Sequence, residues 1–147
     1  MVGVDAYQQP YIPFELTTTE FFSDIRDHLT ERGVLAMNIS SPPGDERLVN
    51  ALATTVATVF PSIFLLDLPD TSMATILVAT RQPSTLEEFA ANQWHMHPLL
   101  KRLVRPSRVK IRTDFTQSTV LTDDTATVER LVDQMLFRQV MRMGEEK

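Results

Sequence analysis

The sequence contains a continuous apolar run, Val34-Leu35-Ala36-Met37-Asn38-Ile39, that constrains the fold more than any other feature. Apolar and polar residues do not alternate along it, as they would in a strand with one face in water. A run of this kind is typical of a strand covered on both faces, and such strands occur in parallel sheets flanked by helices. The run therefore predicts an α/β fold.

Helices are predicted on both sides of this run. The first begins at a capping box formed by Thr17 and Glu20 and is stopped by Gly33. The second is capped by Asp45 and ended by Pro61. The inward-facing residues are Phe21, Phe22, Ile25 and Leu29 in the first helix, and Leu48, Val49, Leu52, Val56 and Val59 in the second. Each helix therefore presents one apolar face to a core.

Three further strands complete the pattern. Val2-Gly3-Val4-Asp5 resembles the end of a buried strand and is shorter than a typical strand of about five residues, so the chain is expected to begin within an element. The strands 63–66 and 74–80 are separated by a short turn-rich segment, whereas a parallel crossover needs about a dozen residues. These two strands are therefore predicted to form an antiparallel hairpin, which gives the order β-α-β-α-β-β.

The pattern becomes helical again after Pro83, with apolar residues continuing to Leu103. The stretch 104–117 is polar and basic and is predicted to be a surface connection. A final helix follows Asp124. Residues 84–147 are therefore predicted to form a helical extension that packs on the same domain.

Composition disfavours several classes of function. Lys plus Arg is 14 against 19 Asp plus Glu, a net charge of -5, which argues against binding to nucleic acid phosphates. There is no cysteine, so thiolate nucleophiles and disulfides are excluded, and with 3 histidines no metal site is expected. No stretch approaches the roughly 18 apolar residues of a membrane span, and no signal peptide pattern is present. A cytoplasmic protein without membrane contact is predicted.

Two polar side chains follow apolar runs at the ends of neighbouring predicted strands. Asp5 closes the first strand and Asn38 lies near the end of the second. Ligands of open α/β sheets bind outside the carboxyl ends of the strands, so both side chains are expected to face one crevice. The alternatives are that Asp5 accepts hydrogen bonds from nearby N–H groups and that Asn38 begins a turn.

Two separated blocks of the sequence are similar to one known family. Residues 4–18 (VDAYQQPYIPFELTT), 20–22 (EFF) and 33–38 (GVLAMN) resemble the second half of the spermidine synthase-like proteins. Residues 120–129 (VLTDDTATVE) resemble that family's L-T-D-D-x-A-P-V-E signature, with Thr127 in place of the proline. The resemblance implies that residues 1–83 are the C-terminal half of a Rossmann-like, S-adenosylmethionine-dependent methyltransferase-type sheet ending in an antiparallel hairpin.

The resemblance also implies a reaction, the transfer of an aminopropyl group from decarboxylated S-adenosylmethionine to a polyamine acceptor. Asp5 matches the aspartate that orients and deprotonates the attacking amine. Asn38 stands where the family has a glutamine beside the substrate, and Tyr7, Gln8 and Gln9 are expected to contact substrate. Gln8 replaces the second acid of the family's D-x-x-D-P motif, so the distal amine of the acceptor loses an ionic partner.

The glycine-rich turn that lets a backbone approach a nucleoside belongs to the first half of this fold. The 4 glycines of this chain are isolated and no G-x-G occurs, so the chain alone is expected to be inactive. Two alternatives remain. One is a methyltransferase-like enzyme that uses S-adenosylmethionine itself. The other is a non-catalytic module whose open sheet edge pairs with a copy of itself, as a homodimer, or with a separate N-terminal half.

Overall fold

The computed structural model describes residues 1–5, 12–42, 44–68, 74–92, 109–125 and 128–145. The strands are β1 (Val2–Val4), β2 (Val34–Ser40), β3 (Ser62–Asp67), β4 (Ala74–Thr80) and β5 (Lys110–Arg112). The helices are α1 (Thr19–His28), α2 (Arg47–Ala57), α3 (Leu86–Ala91) and α4 (Val128–Glu145), with a short 3-10 turn at Phe14–Leu16.

Within the described ranges, five strands form one sheet in the order β1-β2-β4-β3-β5. β1 and β2 run parallel, as expected for strands joined through a helix. β4 lies between β2 and β3 and is antiparallel to both, and β5 is antiparallel to β3. The α/β fold class and the antiparallel β3–β4 hairpin are therefore confirmed.

The two faces of the sheet are buried to different degrees. Along β2, Leu35, Met37 and Ile39 are almost fully buried and belong to the main hydrophobic core. Ala36 and Asn38 point to the opposite face and are half-buried. The continuous apolar run predicted two covered faces, and the described residues bury one face completely and the other in part.

Helices α1 and α2 supply the other side of this core. α1 contributes Phe22 and Ile25, and α2 contributes its residues Leu48, Val49, Leu52 and Val56, all of which the sequence predicted to face inward. α4 adds Val128, Val132 and Met135, which recur at helical spacing and are buried in the same cluster. The division of the chain at residue 83 stays a prediction.

The start of α1 differs from the predicted capping box by one residue. Thr18, not Thr17, is the N-cap, and its Oγ1 accepts a hydrogen bond from the backbone N–H of Phe21 at 3.3 Å. Thr17 is instead the C-cap of the preceding 3-10 turn, and its hydroxyl donates back to the carbonyl of Phe14 at 2.6 Å. The carboxylate of Glu20 instead accepts the N–H of Asp123 at 3.1 Å. The predicted Thr17–Glu20 box is therefore wrong.

Gly33 does not stop α1, because the helix already ends at His28 with Leu29 as an extended C-cap. Glycine is needed at position 33 for another reason. A Cβ there would lie 2.6 Å from Cβ of Leu29 and 2.7 Å from the carbonyl oxygen of Thr30. The chain between α1 and β2 therefore turns so tightly that only a residue without a side chain fits.

Asp45 lies one residue before the N-cap of α2, which is Glu46. Oδ1 of Asp45 still accepts the backbone N–H of Arg47 at 3.3 Å, so it satisfies one free donor of the first turn. Its two carboxylate oxygens also accept from the Arg47 guanidinium at 2.8 and 2.6 Å. The prediction that Asp45 bonds to the start of α2 is therefore confirmed, but the prediction that Asp45 is the N-cap is wrong.

The predicted surface connection 104–117 contains a strand in its described part. β5 pairs with β3 through three residues, of which Ile111 faces the half-buried side of the sheet opposite Leu66. Arg112 faces the other side, where its charge is paired with Asp67. A basic segment can therefore form a sheet edge, and the prediction of a connection at residues 110–112 is wrong.

Candidate functional site

Asp5 and Asn38 lie side by side at the carboxyl ends of β1 and β2. The parallel register places Val4 beside Met37, so the next residue of each strand reaches the same edge. Nδ2 of Asn38 donates a hydrogen bond to Oδ1 of Asp5 at 3.1 Å. The two side chains that were expected to face one crevice are thus in direct contact.

The Asn38 amide has a defined orientation in this contact. Turning it over would place its oxygen against the Asp5 carboxylate, where two acceptors would face each other. With Nδ2 directed at Asp5, Oδ1 of Asn38 is buried and accepts no hydrogen bond from the described residues. A buried acceptor without a donor costs free energy, and this cost is removed when a donor reaches it.

Strand alternation puts this pair on the sheet face opposite to the α1 and α2 core. Asn38 pairs with Ile76 across the sheet, while Gly3 and Ala36 form the neighbouring row. A Cβ built at Gly3 would contact nothing within 4 Å. The row next to the Asp5–Asn38 pair is therefore formed by two small residues, and a side chain at Gly3 would meet open space.

This arrangement suits a cationic or amine ligand. Asp5 is exposed, and an ionised carboxylate only accepts hydrogen bonds, so it can hold an ammonium group and take a proton from it. The Asn38 amide fixes the orientation of that carboxylate by donating to one of its oxygens. Tyr7, Gln8 and Gln9, the other predicted site residues, lie outside the described residues, and their substrate contacts stay a prediction.

Sequence reasoning did not find a second polar cluster at the same edge of the sheet. Asp67 ends β3, and its two oxygens accept from Arg112 Nε at 2.9 Å and from Thr75 Oγ1 at 3.0 Å. The available signal was Asp67 itself, an acid that follows an apolar run. Because both of its oxygens already accept hydrogen bonds, Asp67 stabilises the fold and is less available to a ligand than the exposed Asp5.

Asp45, after β2, is also unsuited to proton transfer. The hydrogen bond from the Arg47 side chain holds the pKa of the Asp45 carboxyl below its ordinary value of 3.8, and the nearby positive charge of Arg47 acts in the same direction. The Asp45 carboxylate therefore stays charged at neutral pH. Its contacts with Arg47 anchor the start of α2.

Metal-binding clusters and membrane-spanning helices are absent from the described residues. No group of three or more His, Asp or Glu side chains in the described part of the chain is placed to hold a metal ion. His95 and His97 lie outside it. None of the described helices combines the length and apolar character needed to cross a membrane.

Comparison with known proteins gives one curated relative. The chain is 30% identical to a probable polyamine aminopropyl transferase of Bifidobacterium longum over an alignment 176 residues long, gaps included. The match covers 97% of this chain and 38% of the relative, in its C-terminal part. No protein-family model matches the sequence.

Solved structures give the fold. The crystal structure of a probable spermidine synthase from Corynebacterium glutamicum superposes with a TM-score of 0.52 and 15% identity, over 80% of this chain and 48% of that one. At this identity the match shows a shared fold only. The spermidine synthase of Thermotoga maritima gives a TM-score of 0.47 with 17% identity over 87% of this chain and 41% of that one.

The resemblance seen in the sequence agrees with the fold, in which β1 and β2 are paired and the antiparallel strand β4 lies beside β2. It also agrees with the sequence match. The chain is therefore similar to the C-terminal part of a spermidine synthase-like protein, and it spans 38% of the length of the curated relative that it matches.

Proposed function

We propose that this chain provides the amine-binding side of an aminopropyltransferase site. In a protein of the relative's length, the reaction would transfer an aminopropyl group from decarboxylated S-adenosylmethionine to a polyamine. The observation that carries this proposal is the 3.1 Å hydrogen bond between Asn38 and the exposed Asp5 at the carboxyl ends of two parallel strands. The name of the Bifidobacterium longum relative supports it.

Asp5 would have two roles in this reaction, to hold the ammonium group of the acceptor and to take a proton from it. The acceptor amine is protonated at neutral pH and must lose a proton before its lone pair can attack. The Asp5 carboxylate would hold the ammonium group, take that proton and pass it to solvent. The new C–N bond then forms as the C–S bond of the sulfonium donor breaks, and the electron pair of that bond returns to sulfur.

Asn38 would position this base and contact the amine. Its Nδ2 holds one oxygen of Asp5, which leaves the carboxylate with a fixed direction. Its buried Oδ1 accepts no hydrogen bond from any residue that the structure describes, and an ammonium group carries only donors. Tyr7, Gln8 and Gln9 would complete the acceptor site, where the neutral Gln8 gives the distal amine of the acceptor no ionic partner.

This sequence does not contain the glycine-rich turn that would bind the nucleoside donor. The donor would supply the aminopropyl group on a positively charged sulfur. Backbone approach to such a nucleoside requires a glycine-rich turn, and this sequence has no G-x-G. Asp5 and Asn38 fit the acceptor side of the site only. We propose that the donor is bound by a part of the longer protein, and that the reaction takes place in the cytoplasm.

The edge of β1 favours a second possibility. Among the described strands β1 lies at one edge of the sheet, so one side of its backbone is open to a further strand. A non-catalytic role would use this edge to pair with another chain. Such a module would bind its partner strand whether or not Asp5 is present.

The test is an assay with decarboxylated S-adenosylmethionine and putrescine, followed by measurement of spermidine. We would compare the 147-residue chain alone with the same chain fused behind the unmatched part of the Bifidobacterium longum relative. We expect turnover from the fusion only. Asp5→Asn in the fusion should lower kcat by about 100-fold or more, the usual contribution of a general base.

The matched control is Asp24→Asn, which changes an exposed acid on α1. It should leave kcat unchanged. Equal activity of the Asp5→Asn fusion and the unmodified fusion would contradict the role of Asp5. A methylated product formed from S-adenosylmethionine would replace aminopropyl transfer with the methyltransferase alternative.

A further inference from the structure

Residues 116–123, which include the start of the 120–129 signature, are not used by the reaction proposed above. Residues 116–122 belong to neither a helix nor a strand, so their backbone N–H groups have no partners within regular secondary structure. Several of these groups are instead paired with side chains. The partners lie on two different helices, α2 and α1, which the 116–123 segment therefore connects.

Side chains of α2 accept hydrogen bonds from the 116–123 segment. Three backbone N–H groups of the segment each donate to one side-chain oxygen of α2 at 3.0 Å. The donor and acceptor pairs are Thr116 with Asn50, Ser118 with Thr54, and Leu121 with Thr55. Because the three acceptors are spaced along α2, these contacts fix the path of the segment across the helix.

Thr55 is the most deeply buried of the three acceptors, at 0% exposed. Its hydroxyl donates to the carbonyl of Ala51 at 2.8 Å and accepts the N–H of Leu121 at 3.0 Å. Leu121 is itself 1% exposed and belongs to the main hydrophobic core. Valine has nearly the same shape as threonine, but at position 55 it would leave the buried N–H of Leu121 without this acceptor.

The same segment also holds the first turn of α1. The carbonyl oxygen of Leu121 accepts from the backbone N–H of Thr19 at 2.9 Å and from its hydroxyl at 3.0 Å. The backbone N–H of Asp123 donates to Oε2 of Glu20 at 3.1 Å. The first N–H groups of a helix have no partner within the helix, and Leu121 satisfies one of them. Leu121 thus joins Thr55 of α2 to Thr19 of α1 through its two backbone polar groups.

The start of α1 continues the chain that leaves Asp5. Ile12 follows Asp5 by seven residues and is 2% exposed in the main core. Between Ile12 and α1 the chain forms the 3-10 turn, and Thr18 caps the helix. The position of residues 12–18 therefore depends on where α1 begins. The predicted acceptor contacts at positions 7–9 fall between Asp5 and Ile12 in the sequence.

We propose that the 116–123 segment positions the acceptor side of the site, and that Thr55 is a positioning residue for it. The inference rests on the proposed function, because it takes Asp5 as the group that binds the acceptor amine. Thr55 holds Leu121, Leu121 holds the start of α1, and α1 sets where the chain that leaves Asp5 re-enters the core. Thr55 is buried on α2, across the sheet from the Asp5 carboxylate, so it acts through the segment and not by contact with the acceptor.

The two tyrosines of the chain give a test that does not depend on activity. Both of them, Tyr7 and Tyr11, fall between Asp5 and Ile12 in the sequence. Fluorotyrosine incorporated into the 147-residue chain therefore places every fluorine nucleus in that stretch. We expect Thr55→Val to move the fluorine NMR resonances while the far-ultraviolet circular dichroism is retained. Thr55→Ser keeps the hydroxyl and should give the spectrum of the unmodified chain.

Thr58→Val is the matched control for Thr55→Val. Thr58 is the exposed C-cap of the same helix, and its hydroxyl donates to the carbonyl of Thr55 rather than to the 116–123 segment. This variant should leave the fluorine spectrum unchanged. Unmoved resonances in a folded Thr55→Val chain, or equal movement in both variants, would overturn the proposal.

A surface variant replaces Thr55→Val if that chain does not fold. Glu20→Met removes the acceptor of the Asp123 N–H from an exposed position on α1 and should also move the fluorine resonances. Glu129→Met removes an exposed acid from the first turn of α4 and should not move them. The same spectrum for Glu20→Met as for the unmodified chain would then contradict the proposal.

Kinetics of the fusion described above test the link to acceptor binding. Thr55→Val should raise the KM for putrescine several-fold, while kcat and the KM for decarboxylated S-adenosylmethionine change less than about twofold. Thr55→Ser should restore the KM. A lower kcat with both KM values unchanged would show only a loss of folded enzyme and would overturn the positioning role. A fusion without aminopropyl transfer would contradict the proposed function of Asp5, and the fluorine spectra would still show whether Thr55 positions the chain between Asp5 and Ile12.

Discussion

Nε of Arg112 donates a hydrogen bond to Oδ2 of Asp67 at 2.9 Å, and this contact joins the outermost strand β5 to the end of β3. Nη2 of the same guanidinium donates to Oε1 of Glu46, the N-cap of α2, at 3.2 Å. The Arg112 side chain is only 9% exposed. β5 is therefore held by a buried guanidinium that bridges two partly exposed carboxylates, as well as by its backbone pairing.

Replacing Arg112 should destabilise the fold measurably. Arg112→Leu leaves the carboxylates of Asp67 and Glu46 without their partner, and hydrogen bonds to charged groups contribute about 1.5–3 kcal/mol each. Asp67 is 33% exposed, so water compensates for part of the loss. We expect the free energy of unfolding, measured by urea denaturation, to fall by about 2 kcal/mol.

The comparison for Arg112 is Arg26→Leu, which breaks the exposed ion pair with Asp27. Exposed pairs of this kind contribute about 0.2–1 kcal/mol. Equal losses for the two variants would show that the burial of Arg112 has no energetic consequence.

Two glycines should respond in opposite ways to the same substitution. Gly33→Ala places a methyl group 2.6 Å from Cβ of Leu29, which requires the backbone to move and should cost about 1–3 kcal/mol. Gly3→Ala meets nothing within 4 Å and removes freedom from the unfolded chain, so stability should be unchanged or rise by up to about 1 kcal/mol. Thermal denaturation of both variants would measure the difference, and a stable Gly33→Ala protein would contradict the tight-turn explanation.

The Asp45–Arg47 pair should contribute to stability in a defined pH range. The hydrogen bond from Arg47 lowers the pKa of Asp45 in the folded chain below 3.8, so folding favours the ionised carboxyl. This contribution is complete above pH 3.8 and is lost as the pH falls below that value through the lowered pKa. Urea denaturation of Asp45→Asn should therefore show a smaller loss of stability in acid than the unmodified chain.

Arg47→Met tests the cause of the Asp45 effect. It removes the hydrogen bond that lowers the pKa, so its acid dependence should resemble that of Asp45→Asn. An acid dependence identical to that of the unmodified chain would show that another group is responsible.

A second carboxylate at position 38 should make stability pH-dependent at the candidate site. Asn38→Asp replaces the donor that lies 3.1 Å from Asp5 with an acceptor of the same charge. Repulsion should lower the free energy of unfolding at neutral pH by about 1–2 kcal/mol, and acidification should restore part of it by protonating one carboxyl of the pair. Asn38→Leu lacks the charge and should show no such recovery in acid.

The sequence predicted the fold class and the β3–β4 hairpin because both depend on local signals. A continuous apolar run identifies an interior strand, and the segment between β3 and β4 is too short for a crossover. The contact between Asp5 and Asn38 was predictable for a similar reason, since neighbouring parallel strands end at one edge of the sheet.

Other features depend on partners far away in the sequence. β5 is three residues, Lys110, Ile111 and Arg112, and shows no recognisable period. It exists as a strand because Arg112 meets Asp67 and Ile111 pairs with Leu66. Thr17 and Thr18 are equally good caps by composition, and the structure distinguishes them by their contacts. Thr17 bonds back to the Phe14 carbonyl, whereas Thr18 accepts the N–H of Phe21.

The reversed strand in the centre of the sheet sets an order of assembly. β4 pairs with β3 across a short connection, while its seven pairs with β2 join residues that are far apart in the chain. Closing the short loop costs less conformational entropy, so the β3–β4 hairpin should form early and then dock beside β2. The step that limits the folding rate of this chain should consequently be the pairing of β4 with β2, in which Val78 lies opposite Ala36.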